Sequence, residues 1–103
     1  MDFINACQKG DLKKAKKIFE KGDIDIHADN EYAFCFTCYK GHLEVAKWLL
    51  YISETDNNPL IINIHINNEK AFRLACEDGH LEVAKWLIEI SVEKKLGTID
   101  IHA

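Results

Sequence analysis

Apolar positions along the chain repeat on two scales, one within helices and one between copies of a longer unit. Leu43, Ala46, Leu49 and Leu50 stand at the i, i+3, i+6, i+7 spacing of a single helical stripe, which predicts a helix running from Leu43 with one face buried. Ahead of it, a first helix is predicted to start after Asn30, whose side-chain oxygen would accept from an unpaired backbone N–H. That helix should end at Gly41, which reaches positive φ without a steric penalty. Between one such pair and the next lies Ile62-Asn63-Ile64-His65-Ile66, an alternation that suits a short extended segment with one face buried.

The same pattern is written twice. GHLEVAKWL occupies Gly41–Leu49 and again Gly79–Leu87, 38 positions later. At that shift Ile24, Ile26, His27, Asn30, Glu31, Ala33, Phe34 and Cys38 meet identical residues at Ile62, Ile64, His65, Asn68, Glu69, Ala71, Phe72 and Cys76. A weaker copy comes first, with Phe3, Ala6, Cys7, Gly10, Leu12 and Ala15 in register. A further one opens at Ile99-Asp100-Ile101-His102-Ala103. A lone helix pair cannot cover its own apolar face, so units of this kind must stack. The expected organisation is one domain over 1–103. It comprises a capping helix pair at 1–23, repeats at 24–61 and 62–98, and the start of another at 99–103.

These residues resemble ankyrin repeats. The resemblance rests on the small pair Ala75-Cys76 late in the first helix, the Gly-His-Leu-Glu-Val that opens the second, the Trp-Leu-Leu or Trp-Leu-Ile after it, and Ile-Asp-Ile at the unit boundary. The wording IDIHADNEYAF followed by GHLEVAKWL looks most like the arrays encoded by giant DNA viruses of amoebae. The resemblance implies an all-α, ankyrin-type helix-turn-helix solenoid with short extended inter-repeat segments. Departures are visible. Thr-Pro-Leu-His of the family is replaced by Tyr32-Ala33-Phe34-Cys35 and Lys70-Ala71-Phe72-Arg73, so Asn30 and Asn68 should take over the capping. The period exceeds the usual ~33 residues, with a short finger and an added segment, SETDNNPLIIN, on the other side.

Composition narrows the function classes. A net charge of −4 and a pI near 5.7 disfavour nucleic acid, whose phosphates are met by clustered cations. The lysines at 9, 13, 14, 16, 17 and 21 read as a solvated helix face. MDFINACQKGDLKK has no apolar run ahead of its charges, which predicts an intracellular, cytoplasmic protein (host cytoplasm if viral) with no membrane anchor. In that setting the four cysteines are expected to be free thiols.

Cys35-Phe36-Thr37-Cys38 with His27 and His42 nearby brings a zinc site to mind. Yet Cys38 shares a repeat position with Cys7 and Cys76, and the counterpart of Cys35 is Arg73, so a structural role is expected and no metal or cofactor. Nothing resembles a phosphate loop or a catalytic triad, and the chain is read as a non-enzyme. Trp48 and Trp86 are expected to pack under the inserted segments.

Function should lie where the units disagree, and they disagree on the first helix: Tyr32 against Lys70, Cys35 against Arg73, Phe36 against Leu74, Tyr39 against Glu77, Lys40 against Asp78. The resemblance implies protein–protein recognition on that concave side. Tyr and Phe bury much area at small entropic cost. Tyr32, Phe36 and Tyr39 are therefore the candidate anchors, with Lys70, Arg73, Glu77 and Asp78 as orienting charges. For Phe36 a place in the core between first helices is the alternative. The rival reading of the whole chain is a structural slice of solenoid, self-associating through its uncapped C-terminal end.

Overall fold

The computed structural model describes residues 2–22, 24–55 and 62–93. They form six helices: α1 (Asp2–Lys9), α2 (Leu12–Glu20), α3 (Ala28–Tyr39), α4 (Leu43–Thr55), α5 (Ile66–Glu77) and α6 (Leu81–Glu93). Helices α1, α3 and α5 lie side by side as one layer, and each packs on its own second helix. There is no strand among the described residues. The fold is an all-α repeat solenoid of three helix pairs, the first pair the shortest.

The turns inside the pairs share one mechanism. Gly10, Gly41 and Gly79 take φ values of 73°, 77° and 76°. That left-handed step lets the next residue's N–H reach back over the helix end: Asp11 to Ala6 C=O at 2.9 Å, His42 to Thr37 at 3.1 Å, His80 to Ala75 at 2.8 Å. Carbonyls that a helix end leaves unpaired are thereby satisfied. The glycines serve a second purpose between units. The His42 ring lies over Gly10 and the His80 ring over Gly41, so closely that a side chain on either glycine would collide with the ring; Gly79 has nothing within 4 Å of that position.

This difference separates two contributions. Gly79→Ala is expected to lose about 1–2 kcal/mol from left-handed strain alone. Gly41→Ala adds overpacking against His80, about 1–3 kcal/mol more. Urea unfolding followed by circular dichroism compares them, and equal losses would show that the ring is not wedged against Gly41.

The helix starts differ from the sequence expectation. Asn30 and Asn68 fall inside α3 and α5, whose N-cap positions are His27 and His65. The turn is tied earlier, where Asp25 Oδ1 accepts from His27 N–H at 2.9 Å and Asn63 Oδ1 accepts from His65 N–H at 3.0 Å. Such short-range acceptance two residues on is a standard property of Asp and Asn. Ala28–Asn30 then make one turn, closed by Glu31 N–H donating to His27 C=O. Glu31 itself, at φ 61°, joins that turn to the regular helix, and Glu69 at φ 62° repeats the geometry.

Both glutamates are buried. His27 Nδ1 donates to Glu31 Oε1 at 2.7 Å, and the backbone N–H of Asn63, in the next unit, donates to Glu31 Oε2 at 2.6 Å. The His65–Glu69 pair has the same 2.7 Å contact. One carboxylate therefore holds its own turn and the following unit together. His27 and His65 thus have a structural role in these turns.

The core runs continuously between the layers. Phe34, Val45, Leu49, Val83 and Leu87 are fully buried, with Ala15, Ala46 and Ala84 as small buried residues of the second helices. Ile62 and Ile64 are buried and Asn63 is exposed, as the alternation requires, but a turn at Ile64-His65 follows at once and Ile66 already begins α5. The tryptophans pack backwards onto the preceding unit. Trp48 meets Phe3 at 6.1 Å and Phe19 at 5.7 Å between ring centroids, and Trp86 meets Phe34 at 6.1 Å. The packing expected under the inserted segments falls on residues outside the described ones, 56–61 among them, and so does the further repeat at 99–103.

Candidate functional site

The rings of Tyr32, Phe36 and Tyr39 form one row along α3. On α3, Tyr32 and Phe36 are one helical turn apart and stack at 4.3 Å between centroids, with 22° between ring planes. Phe36 and Tyr39 meet edge to face at 5.9 Å. All three rings are half-buried. Phe36 also packs against the core, so the core alternative and the surface reading both describe part of it.

The neighbouring helices bring no further ring to this row. The 31-residue step from Gly10 to Gly41 puts Asn5 and Gln8 of α1 at the positions of Phe36 and Tyr39. The 38-residue step to Gly79 puts Leu74 and Glu77 of α5 there. A single aromatic unit thus lies between a polar one and a mixed one.

Two lysines border the rings. Lys70, at the repeat position of Tyr32, reaches back from α5 so that Nζ lies 5.2 Å from the Phe36 centroid. Lys40 Nζ lies 5.2 Å from the Tyr39 centroid. A cation within about 6 Å of a ring centroid is attracted by the ring quadrupole. The sequence reading left Lys40 out of the candidate set, although its neighbour Tyr39 and its register with Lys9 were signals for it.

The remaining candidates divide. Glu77 and Asp78 are exposed at the end of α5, and Asp78 Oδ2 lies 3.1 Å from His80 Nε2. Arg73 is exposed, but it occupies the repeat position of Cys35, which is buried on the side of α3 facing the following unit.

The cysteine pair lies inside the core. Cys35 and Cys38 are free and fully buried, and so is Cys7. Burial pushes the thiols of Cys7 and Cys35 up to about 11, in Cys7 against a hydrogen bond with Thr37, and raises Cys38 well above the usual thiol range. A thiol held protonated is a poor nucleophile and metal ligand. Among the described residues no three His, Cys, Asp or Glu side chains are placed to hold a metal ion. Cys76 differs from its repeat partners in being exposed, because no described helix covers that side of α5. On α6, Leu81, Ile88 and Val92 are exposed.

Among the described residues, no helix is long and apolar enough to cross a membrane. A family described as Ankyrin repeats (3 copies) has a sequence model that matches residues 3–98. No curated protein and no solved structure matches the chain.

Proposed function

The chain belongs to the ankyrin repeat family, whose repeats generally mediate protein–protein interaction and are typically without catalytic activity, and we propose that it captures a protein partner through the first-helix face of α3 and α5. The observation that carries this reading is the half-exposed Tyr32–Phe36–Tyr39 row, present in one unit and replaced by polar or aliphatic residues in the other two. Residues needed only for stacking recur from unit to unit, as the Phe34 and Gly41 positions do. The ring row does not recur. Half-exposed aromatic rings supply large contact area for two χ angles of ordering, which is why such side chains dominate binding energy at interfaces.

Lys70, Glu77 and Asp78 border that face, and Arg73 extends it to the edge of α5. The likeness in wording to viral arrays makes a host-cell protein the partner to seek. The reading also places the protein in the cytoplasm.

Affinity capture from a cell lysate, read by mass spectrometry, tests the face. Tyr32→Ala/Tyr39→Ala should lose the captured protein while keeping the helical circular dichroism of the parent. Undiminished capture by that variant would rule the face out. A second reading, self-association or a structural slice of a longer array, is favoured by the exposed Leu81, Ile88 and Val92 at 63%, 41% and 68% accessibility. Sedimentation showing a concentration-dependent oligomer that Ile88→Lys dissolves would support it.

A further inference from the structure

We propose that the partner segment is an acidic peptide carrying an apolar side chain, which lies on the Tyr32–Phe36–Tyr39 row while its carboxylates meet Lys40 and Lys70. The inference rests on the binding face proposed above and adds the chemistry of what binds there. Its basis is the placement of charge around the rings. Lys70 and Lys40 approach the row at Phe36 and at Tyr39, each 5.2 Å from a ring centroid, and neither ammonium is in an ion pair among the described residues. Each ammonium lies against a ring and keeps N–H hydrogens for an incoming acceptor.

A third cation extends the pattern. Lys9, exposed in the last turn of α1, stands at the repeat position of Lys40, so the cations continue onto the adjacent first helix. The acidic residues of the face are Glu77 and Asp78, at the repeat positions of Tyr39 and Lys40 on α5, and the Asp78 carboxylate is engaged with His80 at 3.1 Å.

Spacing fits an extended chain. Neighbouring first helices are about 8–10 Å apart, and alternate side chains of an extended peptide fall on one side about every 6.5–7 Å. An apolar residue seated on the rings thus brings acidic neighbours within reach of lysines on α1, α3 and α5. Binding should be salt-sensitive, because these cations are at the surface.

Fluorescence anisotropy of the full chain tests this with a short fluorescein-labelled probe, Ser-Asp-Glu-Leu-Phe-Asp-Glu-Ser, against the same peptide with every acidic residue changed to Lys. The acidic probe is expected to bind about tenfold or more tightly than its counterpart. Lys40→Glu/Lys70→Glu should weaken it by about tenfold or more, and Lys40→Gln/Lys70→Gln by less, in the range of two exposed charge pairs. Circular dichroism verifies that each variant keeps its helices, and the Gln variant carries the test if the Glu variant does not fold.

Equal binding of the two probes, or acidic-probe binding unchanged in the variants, overturns the proposal. So does an oligothymidylate that binds more tightly than the acidic probe, which would assign the lysines to phosphate. If lysate capture depends on Tyr32 and Tyr39 while the acidic probe fails, the face stands and the acidic chemistry falls. If neither depends on them, both fall.

Discussion

Trp48→Ala is expected to destabilise the protein by about 3–5 kcal/mol, the range for truncating a large buried aromatic, and to release the first helix pair ahead of the rest. Trp48 is half-buried, yet it lies against both rings of the preceding unit, Phe3 at 6.1 Å and Phe19 at 5.7 Å, the latter at 87° edge to face. Those three rings are a large part of what joins α1 and α2 to α4. In a stack of units stability is approximately a sum of unit terms and nearest-neighbour interface terms. Removing one interface at the end of a three-pair stack should therefore split the transition.

Urea unfolding by circular dichroism measures the total. Hydrogen exchange measures the distribution, with α1 and α2 amides losing protection before those of α5 and α6. Trp48→Phe should recover much of the loss. A loss under about 1 kcal/mol with uniform exchange would show that the rings are not the joint.

Glu31→Ala is expected to cost about 3 kcal/mol, a large share of the roughly 5–15 kcal/mol that holds a domain of this kind folded. The carboxylate accepts from His27 Nδ1 at 2.7 Å and from Asn63 N–H at 2.6 Å, and it is only 5% accessible. Hydrogen bonds to a charged group contribute about 1.5–3 kcal/mol each, and a buried donor left unpaired loses more than an apolar replacement would. Alanine would also keep the left-handed backbone at φ 61°.

Glu31→Gly removes that strain, about 1–2 kcal/mol, while losing the same hydrogen bonds. Glycine should therefore be the milder change of the two, although its greater freedom in the unfolded chain narrows the gap. Glu31→Gln keeps an acceptor for Asn63 and should retain most of the stability. Alanine and glutamine variants of equal stability would show that the link between units is not made by this side chain.

Much of the fold was legible because repetition turns weak local signals into strong ones. Gly41 alone is an ambiguous turn signal; Gly10, Gly41 and Gly79 in register, each followed by Asp-Leu or His-Leu, place three turns, and all three adopt positive φ. The starts of α4 and α6 at Leu43 and Leu81 followed directly. The starts of α3 and α5 did not. Asn30 is as good a cap by residue type as Asp25, and only the later left-handed Glu31, drawn inward by His27 and Asn63, moves the turn forward. A glutamate at φ 61° has no signature in a local pattern, since its side chain is held by a residue 32 positions away.

The candidate site divides in the same way. Tyr32, Phe36 and Tyr39 were found because they break a repeat that is otherwise kept, and helical spacing alone puts them on one face. The reach of Lys70 over Phe36 depends on α3 and α5 lying side by side. Arg73 was grouped with the rings because it also varies between units, yet the buried Cys35 at its repeat position marks a side that faces the next unit. Cys76 shows the same limit: an identical residue at an identical position is buried in Cys7 and Cys38 and exposed in the third unit.

By itself the sequence determined the helix pairs, their turns, their stacking and the residues that vary between them, because helical periodicity and glycine turns are local and recur in register. Tertiary structure alone decided which side chain of one unit meets which of the next: His80 over Gly41, Trp48 on Phe3 and Phe19, Glu31 on the Asn63 backbone, Lys70 on Phe36. The physical reason is that burial and pairing belong to an interface between units, and the free energy of a contact depends on a neighbour that no local pattern names.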